Sequence, residues 1–334
     1  MIRLFDIRDV ATVQRLSTAG RPLAYEPVAV DGLNPLLDAM RAYISGGYDH
    51  AITLVRRDPN SRELDAFGLM YIIPGRNARS SELKHAAMIV MSPAPHSDAI
   101  STAWTELAEV FVAQAGEHGV DSITAEVSEE GRESEALQRV GFSSLIHQDI
   151  MKLGALPEQM DASDVIGLNP QGPADDLSLR NLNLRVVPRF LQNADAGTDL
   201  TRLTHHADCG FVLTRNQEVM AHVSLQQGRR GVGMQVLFRH EAEDMAQPAL
   251  QYVLANLCDK TRRPVYCMVP SYQSWLLPIL DTLGFVHVTS NMIMVKHTTA
   301  RVRQPVWSVQ PSQVHTNLIK GDTKIHHHIP HDMK

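Results

Sequence analysis

Cysteine is scarce in this chain: Cys209, Cys258 and Cys267 are the three present among 334 residues. An odd number at no metal-ligand spacing gives neither a disulfide framework nor a zinc signature, and it fits free thiols in a reducing compartment. Long apolar runs are missing as well. The stretch Ala86–Met91 covers six residues, far below the roughly 20 that a membrane-spanning helix needs. Positive charge is in the minority, with 31 Lys and Arg against 37 Asp and Glu and a formal net charge of -6. That leaves no cationic footprint for a phosphate backbone, so nucleic acid is not an expected partner. The pairs Arg56-Arg57, Arg229-Arg230 and Arg262-Arg263 stand in turn-like contexts and read as solvated loops. Also absent are a G-x-S-x-G elbow, a P-loop lysine motif and an H-E-x-x-H pair, which removes three common reaction classes.

What is present is an ordinary globular composition, 44% apolar and 20% charged, in a chain long enough for two domains. The opening Met1-Ile2-Arg3-Leu4-Phe5-Asp6 mixes charge into its first residues and lacks the apolar centre of a signal peptide, so the expected location is the cytoplasm.

The chain repeats itself. Leu137–Leu153 (LQRVGFSSLIHQDIMKL) aligns without gaps on Leu280–Lys296 (LDTLGFVHVTSNMIMVK), sharing the leucine, the Gly-Phe pair and an Ile-Met. Each reads as the end of a helix, a glycine stop and a strand. Upstream, Lys84–Met91 parallels Arg230–Leu237, two apolar runs of strand length. Behind each run, apolar residues recur at helical spacing: Ile100, Trp104, Leu107 and Phe111 in one, Leu250, Val253, Leu254 and Leu257 in the other. Ser97-Asp98 and Glu243-Asp244 mark the two helix starts.

Earlier in each half a hairpin is expected. The first joins His50–Val55 to Asp65–Ile73 around Asp58-Pro59-Asn60-Ser61, and the second joins Gly210–Thr214 to Val219–Gln226 around Arg215-Asn216-Gln217. Ser122–Val127 and Val265–Val269 supply a further strand each. The expectation is an α/β protein of two domains, residues 1–153 and 177–298, each a mixed, mostly antiparallel twisted sheet with helices on both faces. Residues 154–176, with Pro157, Gly167, Pro170, Gly172 and Pro173, have the composition of a linker. A tail, 299–334, carries His326, His327, His328 and His331 and reads as flexible, with no metal site assigned. His205, His206 and Cys209 form a second cluster of nonspecific spacing.

The opening Ile2–Asp9, a strand leading into a helix that starts at aspartate, and the paired Leu137-x-x-x-Gly141-Phe142 and Leu280-x-x-x-Gly284-Phe285 strings resemble the GNAT superfamily of N-acetyltransferases. The resemblance covers nearly residues 1–298 and is to the tandem type. It implies transfer of an acetyl group from acetyl-CoA to an amine of a small molecule or peptide. It also implies a pyrophosphate at the start of the helix after the fourth strand, and a pantetheine arm along that strand's end, here near Val90.

Both halves depart from the family's glycine-rich phosphate loop. The first has Ser92-Pro93-Ala94-Pro95-His96-Ser97-Asp98, with two prolines and an aspartate; the second has Arg239-His240-Glu241-Ala242-Glu243-Asp244. Three carboxylates beside a phosphate cost about 1 kcal/mol each. Ser92, His96 and Ser97 remain the candidate cofactor donors. Leu137 and Leu280 stand where the resemblance puts the acid tyrosine. Glu241 is therefore the candidate base and Tyr272 the candidate acid, with Glu126 and Glu129 as first-half counterparts. Two readings stay open: an acetyl-CoA-dependent N-acyltransferase, and a noncatalytic GNAT-like binding or regulatory protein with eroded phosphate loops.

Overall fold

The computed structural model describes residues 1–32, 34–44, 51–58, 63–73, 84–129, 131–154, 164–193, 209–256 and 263–298. His50, Pro59 to Ser61, His205, His206, Leu257, Cys258, Arg262 and the histidine-rich tail lie outside them. In the first half the order is β1 (Ile2–Leu4), α1 (Val10–Ser17), β2 (Arg21–Pro22), α2 (Tyr25–Val30), α3 (Pro35–Ile44), β3 (Ala51–Arg57), β4 (Leu64–Ile73), β5 (Lys84–Ser92), α4 (Asp98–Glu117), β6 (Val120–Ser128), α5 (Arg132–Arg139) and β7 (Ser143–Leu153). The second half runs β8 (Leu168–Pro170), α6 (Asp176–Val186), α7 (Arg189–Asn193), β9 (Cys209–Arg215), β10 (Glu218–Gln227), β11 (Val232–Phe238), α8 (Glu243–Ala255), β12 (Val265–Pro270), α9 (Leu277–Thr282) and β13 (Val286–His297).

Local chemistry accounts for most of these elements. The β9–β10 hairpin turns through Asn216 and Gln217, both at positive φ of 53° and 64°, the backbone of the two-residue turn that matches strand twist. Ser97 caps α4 by accepting the Ile100 N–H. Trp104, Leu107 and Phe111 of α4, and Leu250, Val253 and Leu254 of α8, are all buried, as their spacing requires. Gly141 and Gly284 end their helices at φ of +91° and +90°, a region where a side chain is strained. Phe142 and Phe285 are buried directly after them.

The strands form one sheet in the order β1-β3-β4-β5-β6-β13-β7-β12-β11-β10-β9-β8, with β2 paired to β5. The last strand of each half is exchanged. β13 lies between β6 and β7, and β7 lies between β13 and β12, all antiparallel. Matched positions trade partners: Ile150 faces Thr289, while Ile146, the match of Thr289, faces Ile293, the match of Ile150. The seam is thus symmetric in the repeat, and each half completes the other's sheet.

Two features depart from the sequence reading. Leu168–Pro170, assigned by composition to the linker, is an edge strand paired with β9, where a proline's missing N–H can face solvent at no cost. Arg56 is not in a loop. It is buried in β3 and ion-paired to Asp65 and, at 2.7 Å, to Glu106. No helix among the described residues is long and apolar enough to cross a membrane.

Candidate functional site

Parallel neighbours in this sheet run together and then part. β5 pairs with β6 from Lys84 to Ala87, and β11 pairs with β12 from Val232 to Met234. What fills each opening decides what can bind there.

In the first half a bulge places Ile89 as the extra residue of β5 opposite β4, and a bulge bends its strand. The opening is filled by the chain itself. Arg21 and Pro22 pair with Met91 and Val90. The Leu23 N–H donates to Ile89 O at 2.8 Å, and Leu23 O accepts the Glu126 N–H at 2.8 Å. The Leu23 side chain is 1% exposed. In the second half β11 keeps unbroken register with β10, and the gap is closed at its far end by one side chain. Gln273 accepts the Phe238 N–H at 3.0 Å and donates to Phe238 O at 2.8 Å.

Between these two fills lies a cavity of about 300 Å³. Its walls come from both halves: Leu23, Glu26 and Pro27 around α2, Thr124 to Glu126 of β6, Asn183 and its neighbours on α6, His222 and Ser224 of β10, and Gln235 to Leu237 of β11. Tyr272, Ile146, Gln148, Gln171 and Ile293 also line it. Beside the cavity, α2 buries Glu26 and Val30, and α6 buries Leu182 and leaves Leu177 and Leu184 exposed.

The electrostatics are lopsided. Glu26 is buried, and desolvation pushes its carboxyl up to about 7, against a lowering contribution from the Gln235 amide, which donates at 3.0 Å. Glu126 is likewise raised by burial, although it accepts from Tyr25 N at 2.6 Å, Gln148 Nε2 at 2.7 Å and Asn291 Nδ2 at 2.7 Å. Burial depresses His222 to about 4, so it stays neutral at pH 7, and it raises the Tyr272 phenol to about 12. Asn183 Oδ1 is screened from solvent with no hydrogen-bond partner among the described residues.

Of the residues singled out from the sequence, Tyr272 and Glu126 meet at this cavity. The others do not gather. Glu241 is exposed, ion-paired to Arg239 at 3.2 Å, and held below the usual carboxylate range by its own backbone N–H and by Arg239. Ser92 is buried and donates to Leu16 O. His96 is exposed, its Nδ1 on Ala94 O, and Ser97 is spent on the α4 cap. Val90 is enclosed between Pro22 and Leu69. Glu129 is exposed and contacts His147. Glu26 carried no sequence signal, because its burial comes from packing against β11, remote in the chain. Among the described residues no group of three or more His, Cys, Asp or Glu is placed to hold a metal ion.

No family model and no curated protein matches the sequence. Solved structures do match in fold. A GCN5-related N-acetyltransferase from Sphaerobacter thermophilus superimposes over 90% of this chain and 96% of its own, with a TM-score of 0.52 at 13% identity. A tandem GNAT protein from the clavulanic acid biosynthesis pathway covers 90% of this chain and 99% of its own, with a TM-score of 0.50 at 13% identity. The fold is that of the tandem GNAT proteins. Within that GNAT fold, the acetyl-CoA expected from the resemblance does not fit the residues present. The place near Val90 for a pantetheine arm is taken by Pro22 and Leu23. At the matching strand end of the second half, the Phe238 peptide groups are taken by Gln273.

Proposed function

We propose that this chain is a small-molecule-binding protein on a tandem GNAT fold, that its site is the cavity between α2 and α6, and that it works without acetyl-CoA. The observation that carries this reading is the Leu23 peptide, bonded on one side to Ile89 O and on the other to Glu126 N, in the opening where a donor would lie. A partly open cavity of about 300 Å³ with a few convergent polar groups has the size and character of a small-ligand site. The buried free thiol of Cys267 supports a cytoplasmic setting.

A thermal-shift titration with acetyl-CoA tests the reading. The expected result is an unchanged melting temperature at millimolar acetyl-CoA. A ligand at a hundred times its dissociation constant stabilises by about 2.7 kcal/mol, a rise of several degrees, and such a rise would overturn the proposal.

A second reading, acetyl transfer to an amine of a small molecule or peptide, is favoured by one arrangement. The Tyr272 phenol, protonated across the neutral range, and the Glu126 carboxyl share the cavity, a proton donor and a carboxylate within one site. Acetyl-CoA binding in the same titration would support it.

A further inference from the structure

Two carboxyl groups line the cavity without a basic side chain bonded to either among the described residues. Glu26 and Glu126 line it from α2 and β6; burial opposes ionisation of both, and Glu126 opposes it further at Glu26. Among the described residues, neither is paired with a lysine, an arginine or a histidine. Their partners are neutral: the Gln235 amide for Glu26, and Tyr25 N, Gln148 and Asn291 for Glu126. The other ionisable groups on the walls are Asp176 and Arg180 of α6, both exposed, with His222 of β10 and Tyr272. His222 is kept neutral by burial and adds no positive charge.

A separate observation points the same way. Asn183 Oδ1, on the α6 wall, is an acceptor hidden from solvent and without a hydrogen-bond partner among the described residues. Buried acceptors of this kind are rare, because losing water without gaining a donor is costly. Part of the wall is apolar, with Leu23, Ile146, Val187, Leu191, Val236 and Ile293.

We propose that this cavity binds a small guanidinium compound with a short apolar body, its head held by the Glu26 and Glu126 carboxylates and the Asn183 carbonyl oxygen. The inference rests on the small-molecule reading above and names the ligand class for it. A guanidinium is more weakly hydrated than an ammonium, so burying it costs less. Its five N–H donors in one plane suit acceptors spread over two helices and a strand, where an ammonium offers three from a single point. The apolar wall receives the body.

The test is calorimetric titration of the full chain with n-butylguanidinium, with n-butylurea as the neutral isostere and n-butylammonium as the compact cation. Butylguanidinium is expected to bind at least about tenfold more tightly than butylurea, since charge-assisted bonds to a carboxylate are roughly twice as strong as neutral ones, and more tightly than butylammonium, which is more strongly hydrated and offers its donors from one point. Glu26→Gln should remove that advantage. Glu126→Gln is the independent second variant, and each is checked for an intact melting transition first. Butylurea binding as tightly as butylguanidinium would overturn the charge assignment and leave the small-molecule site standing. Preference for butylammonium would overturn the head group, and binding unaffected by both substitutions would place the ligand elsewhere. Failure of butylguanidinium to bind at millimolar concentration would also sink the inference, and stabilisation by acetyl-CoA in its place would sink the parent reading with it.

Discussion

The two openings in this sheet, one beside β5 and one beside β11, are built from matched parts and closed by different means. In the first, the bulge at Ile89 turns β5 aside and exposes a carbonyl, and a length of main chain from Arg21 to Tyr25 enters to bond it. In the second, β11 stays in register with β10, and a single amide side chain, Gln273, bridges the gap at Phe238. A backbone insertion is covalently continuous with β2 and α2 and is held by several bonds at once. A side-chain bridge hangs on one residue. The first opening is therefore closed by more bonds than the second, and the cavity between them is lined from both halves.

The comparison can be broken by substitution. The largest effect is expected at Leu23, which is 1% exposed. Leu23→Ala should cost about 4 kcal/mol, through lost burial and the cavity left behind, read as a lower urea midpoint at unchanged slope. Next comes Glu26, whose folded-state pKa of about 7 stands above the ordinary value near 4.3. A carboxyl raised on folding favours the fold while protonated, and that contribution is lost as pH rises from about 4.5 through 7. Urea unfolding at pH 5 and pH 8 should show the wild type losing up to about 3 kcal/mol at this site, and Glu26→Gln should flatten the loss.

Gln273→Ala should cost about 2 kcal/mol, the penalty for leaving the Phe238 peptide groups unpaired and buried. A cost equal to that of Leu23→Ala would show the two closures to be equivalent and remove the contrast. The smallest effect sharpens the comparison from its symmetric side. Gly141→Ala and Gly284→Ala should each lower stability by about 1 kcal/mol in thermal melts. An added Cβ would meet only the mobile end of Lys296 at Gly141 and ordinary contact with Leu153 at Gly284, so the backbone strain at nearly the same φ sets both costs.

The legible parts of the fold were those with short-range causes. The hairpin at Asn216-Gln217, the apolar stripe of α4 and the two Gly-Phe turns each depend on neighbours a few residues away. The site was less legible. Tyr272 and Glu126 stood out as isolated polar residues near strand ends, and both reach the cavity. Glu241 stood out equally, yet its position at the start of a helix beside Arg239 leaves it solvated and firmly ionised. Nothing in the sequence around Glu26 distinguishes it from a surface glutamate, because the Gln235 amide that meets it is brought in by the sheet.

By itself, then, the sequence determined the repeat, its helices and strands and the places where the chain must turn, since local sterics and hydrophobic period specify those directly. Tertiary structure alone decided that β7 and β13 change places, because two strands with the same Ile-Met pattern present nearly equal edges to either half. It also decided that Leu23 lies where a cofactor arm was expected, since main-chain hydrogen-bonding groups are common to every residue and carry no signature in the sequence.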